Sequence, residues 1–176
     1  MKKLIFFLIL TVSLSSVTFA QKANVRKAKD KALNEDKPDY SGAREAIKLA
    51  LKDSTTKDLA ETWYVAGLIG NKQNDAEYKK AVLNQKFDTL AKGKAIVESC
   101  EYFAQALKLD MLPDAKGKVK PKYAKEIKTM LMDYYKVQSN RIGFGAFQYG
   151  KDDYAGHVET HSIIGAARCR QLFTVN

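Results

Sequence analysis

An all-α protein, built of antiparallel helical hairpins behind an N-terminal targeting segment, is what this sequence of 176 residues predicts. Three observations carry that reading. Apolar residues recur at helical spacing, and no stretch sustains the strict alternation of a half-buried strand. Short polar turns separate the periodic stretches. Small and large residues also return at similar offsets in successive stretches. The chain is 45% hydrophobic and 28% charged, which excludes a compositionally disordered polymer. Two Cys exclude a disulfide-dense miniprotein and a four-Cys zinc site, and two His leave little material for a metal centre. The net charge of +10 favours acidic partners or surfaces without bearing on fold.

Residues 1–20 read as a signal peptide. Lys2 and Lys3 form a positive start, Leu4 to Leu14 is almost unbroken apolar sequence, and Thr18-Phe19-Ala20 supplies the small residues a signal peptidase reads. Cleavage is expected after Ala20. The rival reading, an uncleaved anchor, needs about 20 apolar residues, and this run is shorter. Gln21 stands where a lipoprotein carries Cys. The expected product is one exported domain, 21–176, in the periplasm or otherwise secreted. No second apolar run approaches membrane length, so no stable span remains.

The elements follow in order. Val25, Ala28, Ala32 and Leu33 stripe a first helix that stops near Pro38. Asp39 caps a second, with Ala43, Ala46, Ile47, Ala50 and Leu51 on its apolar face. Lys52 to Thr56 is a turn. Leu59, Trp63, Ala66, Gly67 and Ile69 face a third helix; Asn71 to Asp75 are polar enough to break it before Tyr78, Val82 and Leu83 resume the stripe. Asp88-Thr89 opens another long helix, through Cys100, Phe103 and Ala106, which Leu112-Pro113-Asp114 ends. A basic loop leads to a stripe from Tyr123 through Ile127 and Leu131 to Tyr149, and a final helix runs from Tyr154 toward Phe173.

The hairpins repeat. Asp39 to Asp53 and Asp153 to Ile164 share Asp-Tyr-x-Gly. Ile47 and Phe103 are each followed three residues later by Ala-Leu-Lys. Small residues let paired helices approach; large ones fill the gap to the next pair. With Trp63 and Gly67 in one first helix, Gly145 in another, and Tyr40, Ala43, Ile47 and Ala50 in a second helix, the pattern resembles the tetratricopeptide repeat (TPR) family. Tyr154 and the Phe103–Ala106 pair match further positions, and the likeness spans most of Asn24 to Ile164. The resemblance implies a short α-solenoid. Ala43, Ser99 and His157 superpose at spacings of 56 and 58 residues, against about 34 for a standard repeat. The helices must therefore be long, or an extra turn is inserted at 71–86 and at the basic loop. His157 and His161 stand where the family places a small and a large apolar residue. The last repeat lacks a polar capping helix, which leaves it open to self-association.

Chemistry is sparse. His157 and His161 share a helix face, but two ligands make a poor metal site and His-Val-Glu-Thr-His is not the zinc-protease order. No phosphate loop, nucleophile elbow or Cys-x-x-Cys occurs. The reading is non-enzymatic, with no catalytic residue, metal or cofactor. Cys100 is expected to pack as a small hydrophobe; the alternative is a disulfide with Cys169, which export permits.

Function is read as partner binding. The TPR resemblance implies that first helices line a concave face that takes a protein or peptide. It places Tyr64, Leu68, Asn71 and Lys72 on that face from one first helix, and Ser139, Ile142, Ala146 and Tyr149 from another. The alternative uses the basic loop of Lys116, Lys118, Lys120, Lys122 and Lys125 to hold a cell-envelope polyanion or anionic surface. Export argues against nucleic acid as a partner. A metal-dependent hydrolase around His157 is a third, weaker reading.

Overall fold

The computed structural model describes residues 22–133, and these are helical with no strand. The expected signal segment lies outside the described residues. So do Ser139, Ile142, Ala146, Tyr149, His157, His161, Cys169 and the stretch expected to form the final helix. Within 22–133, helix α1 covers 22–32. Helix α2 is Tyr40–Lys52, α3 is Ala60–Val82, α4 is Thr89–Asp110, and α5 occupies 124–133. No helix among the described residues is long and apolar enough to cross a membrane.

Local chemistry sets the boundaries. The Asp39 carboxylate accepts from Gly42 N at 2.8 Å and starts α2. In the next turn, Thr56 Oγ1 donates to Ala50 O at 2.7 Å and is itself fully buried. Asp88 opens α4 by accepting from Ala91 N at 2.8 Å. The loop after α4 is organised by Asp114, whose Oδ1 accepts from Lys116 N and Lys118 N, each at 2.9 Å. Gly117 sits there at φ 72°, a left-handed conformation natural to glycine.

The core is the α3–α4 hairpin. Trp63 meets Tyr102, Gly67 meets Phe103 and Ser99, Gly70 meets Ala95, and Asn74 meets Lys92. One number rises as the other falls, so the two helices run antiparallel. At Gly67 an added Cβ would stand 2.4 Å from the Phe103 ring; at Gly70 it would stand 2.4 Å from the Ala95 carbonyl oxygen. Ser99 Oγ donates to Gly67 O at 2.8 Å. The hairpin closes around the fully buried Phe103, with Ile69, Val65, Ile96 and Cys100 beside it. Ala28, Ala32, Ala43, Ala46, Ile47 and Ala50 from α1 and α2 extend this core on one side, and Ile127 and Leu131 of α5 extend it further.

Two expectations change. The third helix does not break at Asn71 to Asp75: α3 is one helix of 23 residues. Asn71 and Asn74 are buried, and Asn74 Nδ2 donates to Lys92 O at 3.0 Å. The polar side chain thus finds its partner on the facing helix and leaves its own backbone ladder intact. The 56 residues between Ala43 and Ser99 are taken up largely by the length of α3 and α4. Cys100 is buried as its stripe position requires, but its sulfur is disulfide-bonded and not a free thiol.

Candidate functional surfaces

Three of the four α3 residues assigned to a concave face are interior. Tyr64 is 4% exposed, Leu68 3% and Asn71 5%, while Lys72 is half-buried. The cause is α5. Tyr123, just ahead of it, stacks on Tyr64 at a centroid distance of 4.5 Å, and Phe103 flanks the other side at 6.2 Å. Burial and a hydrogen bond with Glu126 hold the Tyr64 phenol protonated far above its ordinary range. Tyr64, Leu68 and Asn71 therefore pack elements together and present no open face. Trp63, read as a gap-filling residue, is only partly buried; its indole N–H donates to Lys57 O at 2.5 Å, and its ring meets Tyr102.

The basic loop is on the surface as expected: Lys116, Lys118, Lys120, Lys122 and Lys125 are all exposed. Its acidic neighbours are occupied. Asp110, the last residue of α4, accepts from Lys122 N at 2.9 Å, Tyr123 N at 2.7 Å and Ala124 N at 2.8 Å, and so caps α5 from another helix. Asp114 is held below the usual carboxylate range by the loop amides of Lys118 and Lys116. Lys120 approaches Asp114 at 3.6 Å. Lys122 lies over the Tyr123 ring at 5.1 Å, and its hydrogen bond with Tyr123 raises its pKa. The loop's carboxylates are thus fixed in place by backbone amides, and its lysines are exposed to water.

A second surface was not anticipated. Where α2, α3 and α4 meet, Arg44, Gln73, Ala91, Lys94, Ala95 and Glu98 line an open depression of about 480 Å³. Arg44 Nε and Nη2 both donate to Glu98 Oε2, at 2.9 and 2.7 Å, across a sequence gap of 54 residues. Nothing local in the sequence connects the two. Among the described residues, no group of His, Cys, Asp or Glu is placed to hold a metal ion.

Comparison with known proteins returns no matching family model, no matching curated protein and no matching solved structure.

Proposed function

We propose that this chain is an exported, non-enzymatic scaffold, a short TPR-like stack of helical hairpins that binds a protein or peptide. The supporting observation is the contact of Gly67 with Phe103 and Ser99. The residues that the family resemblance aligns as small and large at a close helix crossing meet one another across α3 and α4. Because Tyr64, Leu68 and Asn71 are interior, the partner surface is reassigned to the depression beside the Arg44–Glu98 pair. Its floor is small, at Ala91 and Ala95, and its rim is polar, at Gln73 and Lys94. That arrangement suits an extended chain whose backbone needs hydrogen-bonding groups. A photo-crosslinker at Gln73 tests it in envelope extract. The expected adduct is a specific protein, insensitive to chelator and lost in Ala91→Arg. An adduct that forms only without chelator, or that ignores Ala91→Arg, would refute the scaffold reading.

A second reading has its own support in the loop whose carboxylates are engaged by backbone amides. Residues 114–125 carry five lysines against the single carboxylate of Asp114, a net cationic surface suited to an envelope polyanion. Binding of this kind falls steeply as salt shortens the Debye length. It disappears on charge reversal at Lys116 and Lys118, while Ala91→Arg leaves it unchanged.

A further inference from the structure

The far end of the α3–α4 hairpin carries a feature that the scaffold reading does not use. The Tyr40 hydroxyl, at the first residue of α2, donates to Lys72 O at 3.2 Å. From there α3 continues to Val82, a further 15 Å or so at about 1.5 Å per residue, and α4 returns alongside it. At the tip, Val82 is 58% exposed, Leu83 65% and Leu90 55%, with Phe87 half-buried between them in sequence. This end is a built turn. Glu77 Oε2 accepts from Asp88 N at 2.9 Å, Gln85 N donates to Lys80 O at 2.9 Å, and Asn84 adopts φ 54°. Its apolar side chains are therefore displayed by an ordered backbone.

Charge surrounds them with one sign. Residues 79–94 hold five lysines, Lys79, Lys80, Lys86, Lys92 and Lys94, against the single carboxylate of Asp88. Asp88 is engaged in capping α4. Glu77, just before the segment, pairs with Lys80 at 2.6 Å. Lys79, Lys86 and Lys94 are exposed.

We infer that this tip docks on an anionic lipid bilayer, with Val82, Leu83 and Leu90 entering the interface and the lysines at the level of the headgroup phosphates. The turn between α3 and α4 ends the hairpin, with Val82, Leu83 and Leu90 exposed about it and Lys86 among them, and Lys79 and Lys94 stand about a turn back along the two helices as a cationic collar. A lipid interface accommodates both parts: side chains reach past the headgroups while ammonium groups stay hydrated among phosphates. A dry protein interface suits the collar poorly, because lysine is depleted from such contacts. The inference goes beyond the scaffold reading and stands without it: it uses no residue of the basic loop, and of the residues around the depression it shares only Lys94.

The test reports from the tip itself, so that other segments of the full chain cannot supply the signal. The chain has a single tryptophan. In a Trp63→Phe, Leu83→Trp variant, the indole at position 83 is the sole tryptophan, read by exciting at the red edge where tyrosine does not absorb. With vesicles of brominated phosphatidylglycerol its emission should fall at least twofold, and with brominated phosphatidylcholine it should not. Lys79→Glu with Lys86→Glu should abolish the quenching; Lys116→Glu with Lys118→Glu, at the other end, should leave it unchanged. Absent quenching, equal quenching by both lipids, or loss through the loop variant would each overturn the inference. So would an emission shift that depends on protein concentration without vesicles, which would assign the tip to a second copy of this chain.

Discussion

Gly67 and Gly70 decide how closely α3 and α4 approach. In a helix interior, alanine is favoured over glycine by about 1 kcal/mol. At Gly70 that gain opposes a Cβ only 2.4 Å from a backbone carbonyl oxygen, which cannot rotate away. Overpacking of this kind costs about 1–3 kcal/mol, so Gly70→Ala is expected to destabilise by up to about 2 kcal/mol net. Gly67→Ala meets a phenyl ring instead, and adding Phe103→Leu should recover part of its loss. Urea unfolding of the single and double variants measures both; a stabilised Gly70→Ala would contradict the close crossing. Asp75 supplies a pH signature. Burial is the main influence on it and raises its pKa above 3.8, opposed by Lys72 and Lys79. A carboxyl that binds its proton more tightly when folded costs stability as pH rises through and above 3.8. Asp75→Asn should therefore be at least as stable as the natural chain at pH 7. Any advantage should vanish below the ordinary carboxylate value. Denaturant midpoints at both pH values decide the matter, and a variant weaker at pH 7 would mean that the lysines outweigh burial.

At the scale of elements, α5 is tied to α4 by one side chain. Asp110 accepts three backbone N–H groups at the start of α5. Asp110→Ala leaves them without that acceptor and should cost about 1–2 kcal/mol, in the range of a lost helix cap. The loss should be accompanied by exposure of Tyr64, which α5 covers, visible as increased accessibility of that ring to solvent. Unchanged stability would show that packing of Ile127 and Leu131 alone holds α5. These elements differ in how legible they are from sequence. The limits of α2 and α4 are written locally: Asp39 and Asp88 accept from amides three residues on, and caps of that kind are short-range signals. Gly67 and Phe103 are legible because repetition aligned them. Continuity of α3 through Asn71 and Asn74 is not, because the group that satisfies Asn74 lies on another helix. Burial of Tyr64 is hidden for the same reason, since helical spacing identifies a face without naming what covers it. The depression at Arg44 and Glu98 depends on three helices at once and has no local signature.

For the molecule as a whole, unequal helix lengths have a dynamic consequence. α3 has 23 residues and α4 has 22, but α2 has 13. Near Gly67 the hairpin is sealed by Phe103 and the adjoining core; toward Val82 and Leu90 it is solvated, with few buried apolar groups. Opening free energies scale with such local burial, so amide hydrogen exchange should be graded along single helices. Amides at 64–70 and 96–106 should exchange only through global unfolding, and those at 78–82 and 90–94 through cheaper local openings. Uniform protection along α3 would contradict this gradient. The same two helices are thus expected to combine an anchored half with a half whose capped turn opens at lower cost. Sequence change near Leu83 is accordingly buffered against loss of the fold: its effect on the population of folded molecules is small, so that end of the hairpin answers to what it touches, while Gly67, Gly70 and Phe103 answer to folding itself.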